Sequence, residues 1–285
     1  MKYIDGGVCS AKGFRAGGMN CGIKAGSTKK DLAMIVSDTM CSAAAVYTTN
    51  KVKGAPLAVT REHLINGTAQ AVICNSGNAN TCAPNGVEIA EKTCEITGSA
   101  LGLAAEDIIV CSTGVIGQEL SIKPFEYGVP KLAEKVSYNG GQEAAEAIMT
   151  TDTIPKSIAV EFEIDGKTCY IGGIAKGSGM IDPNMATMLS FITTDAAVSP
   201  EMLDKALKAD VKTSYNQICV DGDMSTNDTV AVLANGMAGN DEIAEAGTEF
   251  DVFCEALAMV TRYLAKKLAR DGEGATKLIE CQVKG

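Results

Sequence analysis

The chain has 285 residues, of which 46% are hydrophobic, and a formal net charge of −10 at pH 7. The negative charge argues against nucleic acid or an anionic membrane surface as a partner, because both are themselves negative. No apolar run reaches the roughly 18 to 20 residues that span a bilayer, and the N-terminus lacks the apolar region of a secretion signal. We therefore expect a cytoplasmic globular protein with a core large enough for one or two domains that acts on a small molecule.

The cysteines and the single histidine narrow the chemistry further. Eleven cysteines are scattered from Cys9 to Cys281 without a CxxC pair, which favours reduced, mostly buried thiols over disulfides or a zinc site. The only histidine, His63, lies in the polar segment TREHLING, where we expect a helix end or turn with an exposed side chain. A catalytic triad or a Cys-His pair would need this one residue, so a histidine-activated nucleophile is disfavoured.

Strand and helix patterns alternate along the chain. Apolar or alternating runs predict strands at 34–50, 71–74, 108–111, 157–174, 188–193 and 229–236, and the start of another after Gly274. Helical spacing predicts helices at 86–102, around 123–137, at 141–150, after Ser199 and up to about Arg270. Asp165-Gly166 predicts a hairpin turn, and Ser199 before Pro200 predicts a helix start. The interleaving indicates an α/β or α+β protein without an internal linker.

The segment KGSGMIDPNMATMLSF, residues 176–191, joins a glycine-bearing loop to an apolar strand, with Thr187 at the junction. A hydroxyl can act as a nucleophile without histidine if its own free α-amino group is the base, which requires a peptide cut directly before it. Such an amine, with a pKa of about 7.7 to 8.0, is partly neutral near physiological pH. Self-cleavage between Ala186 and Thr187 fits this segment, although the pattern alone favours a threonine that merely starts a strand.

Other polar residues could complete such a site. In CSTGVIG, Thr113 and Gly114 follow a short apolar run and could offer a hydroxyl and an unhindered N–H to a developing oxyanion. Lys176 could pair with a substrate carboxylate, and Glu273 could receive a substrate ammonium. Each feature alone is more typical of a glycine turn or a solvated charge.

Five motifs in order along the chain carry a resemblance to a known family. They are NSGNANTC, CSTGVIGQ, AIMTTDTIPK, KGSGMIDPNMATML and ARDGEGATKL. Together they resemble the ornithine acetyltransferase or ArgJ family, also called bifunctional glutamate N-acetyltransferases, from GFRAGG near the N-terminus to the last residues. The resemblance implies a layered α/β fold of the ArgJ and DmpA type, with two sheets between helices and an N-terminal-nucleophile-type site.

The resemblance also implies a reaction and an assembly. Members are made as one precursor that cuts itself. Here the cut would give an α chain of residues 1–186, and residues 187–285 would be the first part of a β chain. In the family the two chains commonly assemble as an α/β heterotetramer. Thr187 would take acetyl from N-acetylornithine and pass it to glutamate, a step of arginine biosynthesis. The resemblance implies neither a metal nor a resident cofactor, although some members accept acetyl-CoA as a second substrate.

Residue by residue, the motifs carry the family's roles onto this chain. Thr113 and Gly114 fall on the oxyanion positions. The substrate-binding positions fall on Thr150, Lys176, Thr187 and Glu273. Because the threonine is doubled, Thr151 stays an alternative to Thr150.

The chain departs from the family at its C-terminus. Members continue through a further α/β portion whose tail helps to close the substrate site, so we expect this portion to be missing here and the isolated chain to be oligomeric or poorly soluble. Two other functions stay open. One is an aminopeptidase or amidase of the DmpA type, with water as acceptor, and the other is a truncated chain that binds without turnover.

Overall fold

The structure is a computed structural model that describes residues 1–183 and 188–283. Within these ranges the strands are β1 (Lys2–Ile4), β2 (Phe14–Met19), β3 (Leu32–Tyr47), β4 (Thr68–Asn75), β5 (Ile108–Ser112), β6 (Lys156–Ile164), β7 (Lys167–Lys176), β8 (Leu189–Thr194) and β9 (Thr229–Ala234). The helices are α1 (Ala55–His63), α2 (Gly86–Leu101), α3 (Lys123–Ala133), α4 (Gly141–Ala147), α5 (Pro200–Asp210) and α6 (Thr248–Arg270).

Strand β3 joins two halves of the sheet. The strands hydrogen-bond in the order β1-β6-β7-β8-β9-β3-β4-β5, and β2 also pairs with β3. The first part of β3 pairs with β4, whereas its last part, Ser42 to Tyr47, pairs with β9. Its register with β4 shifts between Val36 and Cys41, and such an irregularity bends a strand. The bend lets the two halves face each other as two sheets.

Alternating side chains build three apolar layers from these two sheets. In β4, Val72 and Cys74 enter a central cluster that also takes Leu233 from β9, so this cluster lies between the sheets. The opposite face of β4 packs with residues of α1, α2 and α3. The opposite face of β9 packs with α5 and α6. The predicted layered α/β fold with helices on both outer faces is therefore confirmed, and its two sheets are the halves of one nine-stranded sheet joined through β3.

The turn and the helix start that were predicted from local sequence are confirmed by the structure. Asp165 and Gly166 have φ values of 50° and 70° and close the β6–β7 hairpin. Ser199 Oγ accepts the Met202 N–H at 3.3 Å and caps α5. All eleven cysteines are free thiols, but only five are buried, while three are half-buried and three are exposed, so the thiols are less buried than predicted. Within the described residues, none of the helices is both long and apolar enough to cross a membrane.

Two predictions were wrong. Residues 275–283 form no strand, because the apolar alternation finds no partner edge among the described residues. Ile279 and Val283 are instead 87% and 91% exposed. His63 does end a helix, but its side chain is half-buried rather than exposed, since its Nδ1 lies 2.8 Å from the carbonyl oxygen of Ile108.

Candidate active site

Two predicted site residues from different motifs meet where strands β5 and β7 end. Thr113 directly follows β5, and Lys176 is the last residue of β7; they are 8% and 2% exposed. Lys176 Nζ donates a hydrogen bond to Thr113 Oγ1 at 3.3 Å. Because an ammonium group has donors only, the Thr113 oxygen must accept, and the hydroxyl hydrogen stays available for another acceptor. Lys176 thus orients this hydroxyl as a donor.

Gly114 lies against the neighbouring loop so closely that only glycine fits. Its φ is +128°, and a Cβ at this position would lie 2.6 Å from the carbonyl carbon of Gly77. The backbone of this loop is fixed by Asn75, whose Oδ1 accepts the N–H groups of Gly77 at 3.1 Å and Asn78 at 3.0 Å. The Asn75 carbonyl also accepts the Thr113 N–H at 2.9 Å. The NSGNANTC motif therefore acts as a scaffold for the Thr113-Gly114 backbone.

The charge of Lys176 is balanced inside the protein. Burial lowers the pKa of the Lys176 ammonium below its ordinary value, while the nearby carboxylates of Asp152 and Asp228 favour the charged form. Burial acts to raise the pKa of Asp152, but Lys176 and Lys156 outweigh it and hold this pKa below its ordinary value. These carboxylates thus partly offset the effect of burial on the Lys176 side chain.

The threonine pair lies next to the end of β7. The Thr150 N–H donates to Asp152 Oδ2 at 3.0 Å, and the Thr151 hydroxyl lies 2.7 Å from Ser178 Oγ. Both threonines therefore lie beside the segment that directly follows Lys176: Thr150 is linked to Gly177 through Asp152, and Thr151 contacts Ser178. Which of the two side chains binds substrate stays a prediction.

Glu273 reaches the same segment from the end of α6. Its N–H donates to the Ser178 carbonyl at 2.6 Å, and its exposed side chain covers Gly179. A Cβ on Gly179 would lie 2.7 Å from Glu273 Cδ. The segment from Lys176 to Gly179 thus carries the buried Lys176 ammonium at one end and contacts the exposed Glu273 side chain at the other.

Sequence reasoning missed three buried charges beside this site. Lys156 Nζ contacts Asp152 Oδ1 at 2.7 Å and Asp271 Oδ2 at 2.6 Å, and these side chains are 0%, 0% and 5% exposed. The i, i+4 spacing of Asp152 and Lys156 in MTTDTIPK was a signal of pairing. Nothing local indicated that Asp271, which follows the helix predicted to end near Arg270, would join them.

The predicted nucleophile and cleavage site, Thr187 and Ala186, lie outside the described residues. The chain that follows is firmly held: the Met188 N–H donates to Asp228 Oδ1 at 2.7 Å, and Leu189 pairs with Lys176 in the β7–β8 ladder. Residues 1–183 and 188–283 contain no group of three or more His, Cys, Asp or Glu side chains that could hold a metal ion.

Comparisons with known proteins confirm the family that the five sequence motifs resemble. The model of the ArgJ family matches residues 15–285. A relative named arginine biosynthesis bifunctional protein ArgJ, from Caldanaerobacter subterraneus, is 50% identical over 284 residues, which are 99% of this chain and 70% of the relative. The solved ornithine acetyltransferase of Mycobacterium tuberculosis, complexed with ornithine, is 38% identical with a TM-score of 0.60; the match covers 66% of this chain and 98% of that one.

A more distant likeness concerns the fold alone. The L-aminopeptidase D-Ala-esterase/amidase of Ochrobactrum anthropi, described as a variant of the Ntn hydrolase fold, has 12% identity and a TM-score of 0.50. The match covers 93% of this chain and 87% of that one.

Proposed function

Because the chain belongs to the ArgJ family, whose relatives are named bifunctional proteins of arginine biosynthesis, we propose that it transfers acetyl from N-acetylornithine to glutamate through acetyl-Thr187. The observation that carries this proposal is the hydrogen bond from Lys176 to Thr113 Oγ1 at 3.3 Å. It joins two motif residues 63 positions apart and leaves a hydroxyl hydrogen free to stabilise an oxyanion. The ornithine bound to the M. tuberculosis relative supports ornithine as a ligand.

The nucleophile would arise by self-cleavage between Ala186 and Thr187. Residues 1–186 and 187–285 would then be α-chain and β-chain regions. The cut would not separate them, since β7 and β8 remain paired from Lys176–Leu189 to Ile171–Thr194. A second α/β pair would complete the heterotetramer that is typical of the family.

In the first half-reaction, the Thr187 hydroxyl attacks the acetyl carbonyl carbon of N-acetylornithine and its own α-amino group takes the proton. The carbonyl oxygen becomes an oxyanion, which accepts hydrogen bonds from the Thr113 hydroxyl and the Gly114 N–H. The C–N bond then breaks, and the departing ornithine nitrogen takes the proton. Lys176 would pair with the substrate carboxylate. Thr150 would contact the rest of the substrate, and the Glu273 carboxylate would pair with the ammonium group of the substrate.

In the second half-reaction, the amine of glutamate attacks the acetyl ester. Its proton passes through the Thr187 α-amino group to the Thr187 oxygen as the ester bond breaks. Acetyl-CoA would enter only as another acetyl donor, and no resident cofactor takes part. Water as the acceptor would instead make the protein an amidase.

Substitution of the nucleophile tests this proposal. Thr187→Ala should abolish both chain cleavage and acetyl exchange between labelled N-acetylornithine and glutamate, because it removes the attacking oxygen. Thr168→Ala, on the exposed part of β7, is the matched control and should behave as wild type. Exchange that persists in Thr187→Ala would refute the mechanism. Acetate release that glutamate does not suppress would favour the amidase.

A further inference from the structure

Lys156 is a buried lysine to which the proposed reaction gives no role. Its side chain is 0% exposed, and Nζ donates to Asp152 Oδ1 at 2.7 Å, Asp271 Oδ2 at 2.6 Å and the Ile154 carbonyl at 3.4 Å. An ammonium has three donors, so all of them are used. Burying charges is costly even when they are paired, which makes such a cluster a weak source of stability and points to another purpose.

The first partner of Lys156 fixes the backbone beside two substrate-binding candidates. Asp152 accepts the N–H of Thr150 at 3.0 Å and the N–H of Gly177 at 2.7 Å. Gly177 directly follows Lys176 in the chain. A shift of the Asp152 carboxylate would therefore move both Thr150 and the end of β7.

The second partner fixes the segment that carries the third candidate. Asp271 accepts the Thr153 N–H at 3.0 Å and also the Thr153 hydroxyl. Glu273 comes two residues later, and its own N–H is bound to the Ser178 carbonyl at 2.6 Å. Lys156 thus ties the segment after α6, which carries Glu273, to the end of β7, which carries Lys176.

We propose that Lys156 is a positioning residue that sets the spacing between the Lys176 ammonium and the Glu273 carboxylate, and so selects the length of the basic amino acid that binds. This inference rests on the proposed function, in which these groups pair with the carboxylate and the ammonium of the substrate. Two opposite charges at a fixed separation recognise a zwitterion of one length. One methylene in a well-fitted site changes discrimination by roughly 10- to 200-fold.

Calorimetric binding of ornithine and of lysine, which is one methylene longer, tests the proposal. We expect the wild type to prefer ornithine. Lys156→Met keeps the side-chain length without the charge; it should weaken ornithine binding by about tenfold, the effect of one charge-assisted hydrogen bond, and bring the two affinities closer together. Thr153→Val removes only the hydroxyl bond to Asp271 and should act in the same direction. Lys208→Met, in an exposed ion pair with Asp204, is the control and should leave both affinities unchanged.

An unchanged ornithine-to-lysine affinity ratio in folded Lys156→Met would overturn the proposal. Should that variant not fold, Thr153→Val decides by the same ratio. A wild type that binds neither ligand would refute the proposed function instead. Amide exchange then judges Lys156: faster exchange at Gly177 and Glu273 in the variants supports its positioning role, and unchanged exchange contradicts it.

Discussion

Strand β7 has a lysine at each end, and the two occupy opposite environments. Lys167, beside the Asp165-Gly166 turn, is exposed, whereas Lys176 is 2% exposed and hydrogen-bonded to Thr113. The turn end depends on neighbouring residues only. The site end depends on partners far away in the chain, because only there do distant segments bury a lysine and place carboxylates near its charge. Matched substitutions at the two ends can break or sharpen this contrast.

The largest expected effect follows from neutralising a buried carboxylate. Asp152→Asn should destabilise the fold by about 3–5 kcal/mol, because it leaves the charges of Lys156 and Lys176 incompletely paired. Asp165→Asn, the same change at the turn, should have little effect, since asparagine tolerates the left-handed backbone of that turn. Denaturant unfolding measures both free energies of unfolding. Equal values for the two variants would remove the distinction between the strand ends.

The pH dependence of stability provides a check on this effect. Because the pKa of Asp152 in the folded state is held below its ordinary 3.8, its contribution to stability is present above that value and is lost as the pH falls through the folded-state pKa. The unfolding free energies of wild type and Asp152→Asn should therefore converge below about pH 4. If the difference between the two free energies of unfolding stayed constant down to about pH 2, roughly two units below the ordinary pKa of an Asp carboxyl, the ion pairing of Asp152 would be contradicted.

A smaller effect, on catalysis, is expected from substitution of Thr113, the proposed oxyanion donor. Thr113→Val should lower kcat by about 10²–10³-fold, because it removes one preorganised donor in the transition state. The KM for N-acetylornithine should change much less. Thr168→Val, at the exposed end of β7, should leave both constants unchanged. Steady-state kinetics separates the two parameters, and a change confined to KM would argue for substrate binding by Thr113 instead.

The smallest effects should come from adding a methyl group to a glycine beyond either end of β7. Near the site the methyl group should weaken ornithine binding, whereas at the turn it should lower stability. Gly179→Ala should displace the Glu273 carboxylate and weaken ornithine binding by about tenfold, with little loss of stability because a flexible side chain can move. Gly166→Ala meets open space at φ +70°, so it should cost about 1 kcal/mol of stability and leave ornithine binding intact. Calorimetry and denaturant unfolding of both variants measure the two effects. If both variants changed ornithine affinity and the free energy of unfolding in the same way, the proposed role of Glu273 in ornithine binding would be contradicted.

Local signals predicted much of the fold. Asp165-Gly166 predicted the hairpin and Ser199-Pro200 the start of α5, because turns and caps depend on a few neighbouring residues. The strand predicted after Gly274 was wrong for the opposite reason. A strand needs a partner edge, and the apolar alternation around Ile279 cannot show whether one is present.

The site was predictable only as far as its motifs. Thr113 and Lys176 were singled out by residue type and by resemblance, but their contact could not be, since two sheets bring them together. The part played by Lys156 and Asp271 was invisible for the same reason: residues 115 apart form this ion pair. Patterns along a chain report local geometry, while buried charge pairing is a property of the assembled fold.

Mass spectrometry of the purified chain after incubation with N-acetylornithine tests most directly whether Thr187 is the nucleophile. We expect one polypeptide ending at Ala186 and another beginning at Thr187. The second should carry an acetyl group on Thr187 that disappears when glutamate is added. An uncleaved chain that still transfers acetyl, or an acetyl group on a different residue, would contradict the proposed mechanism.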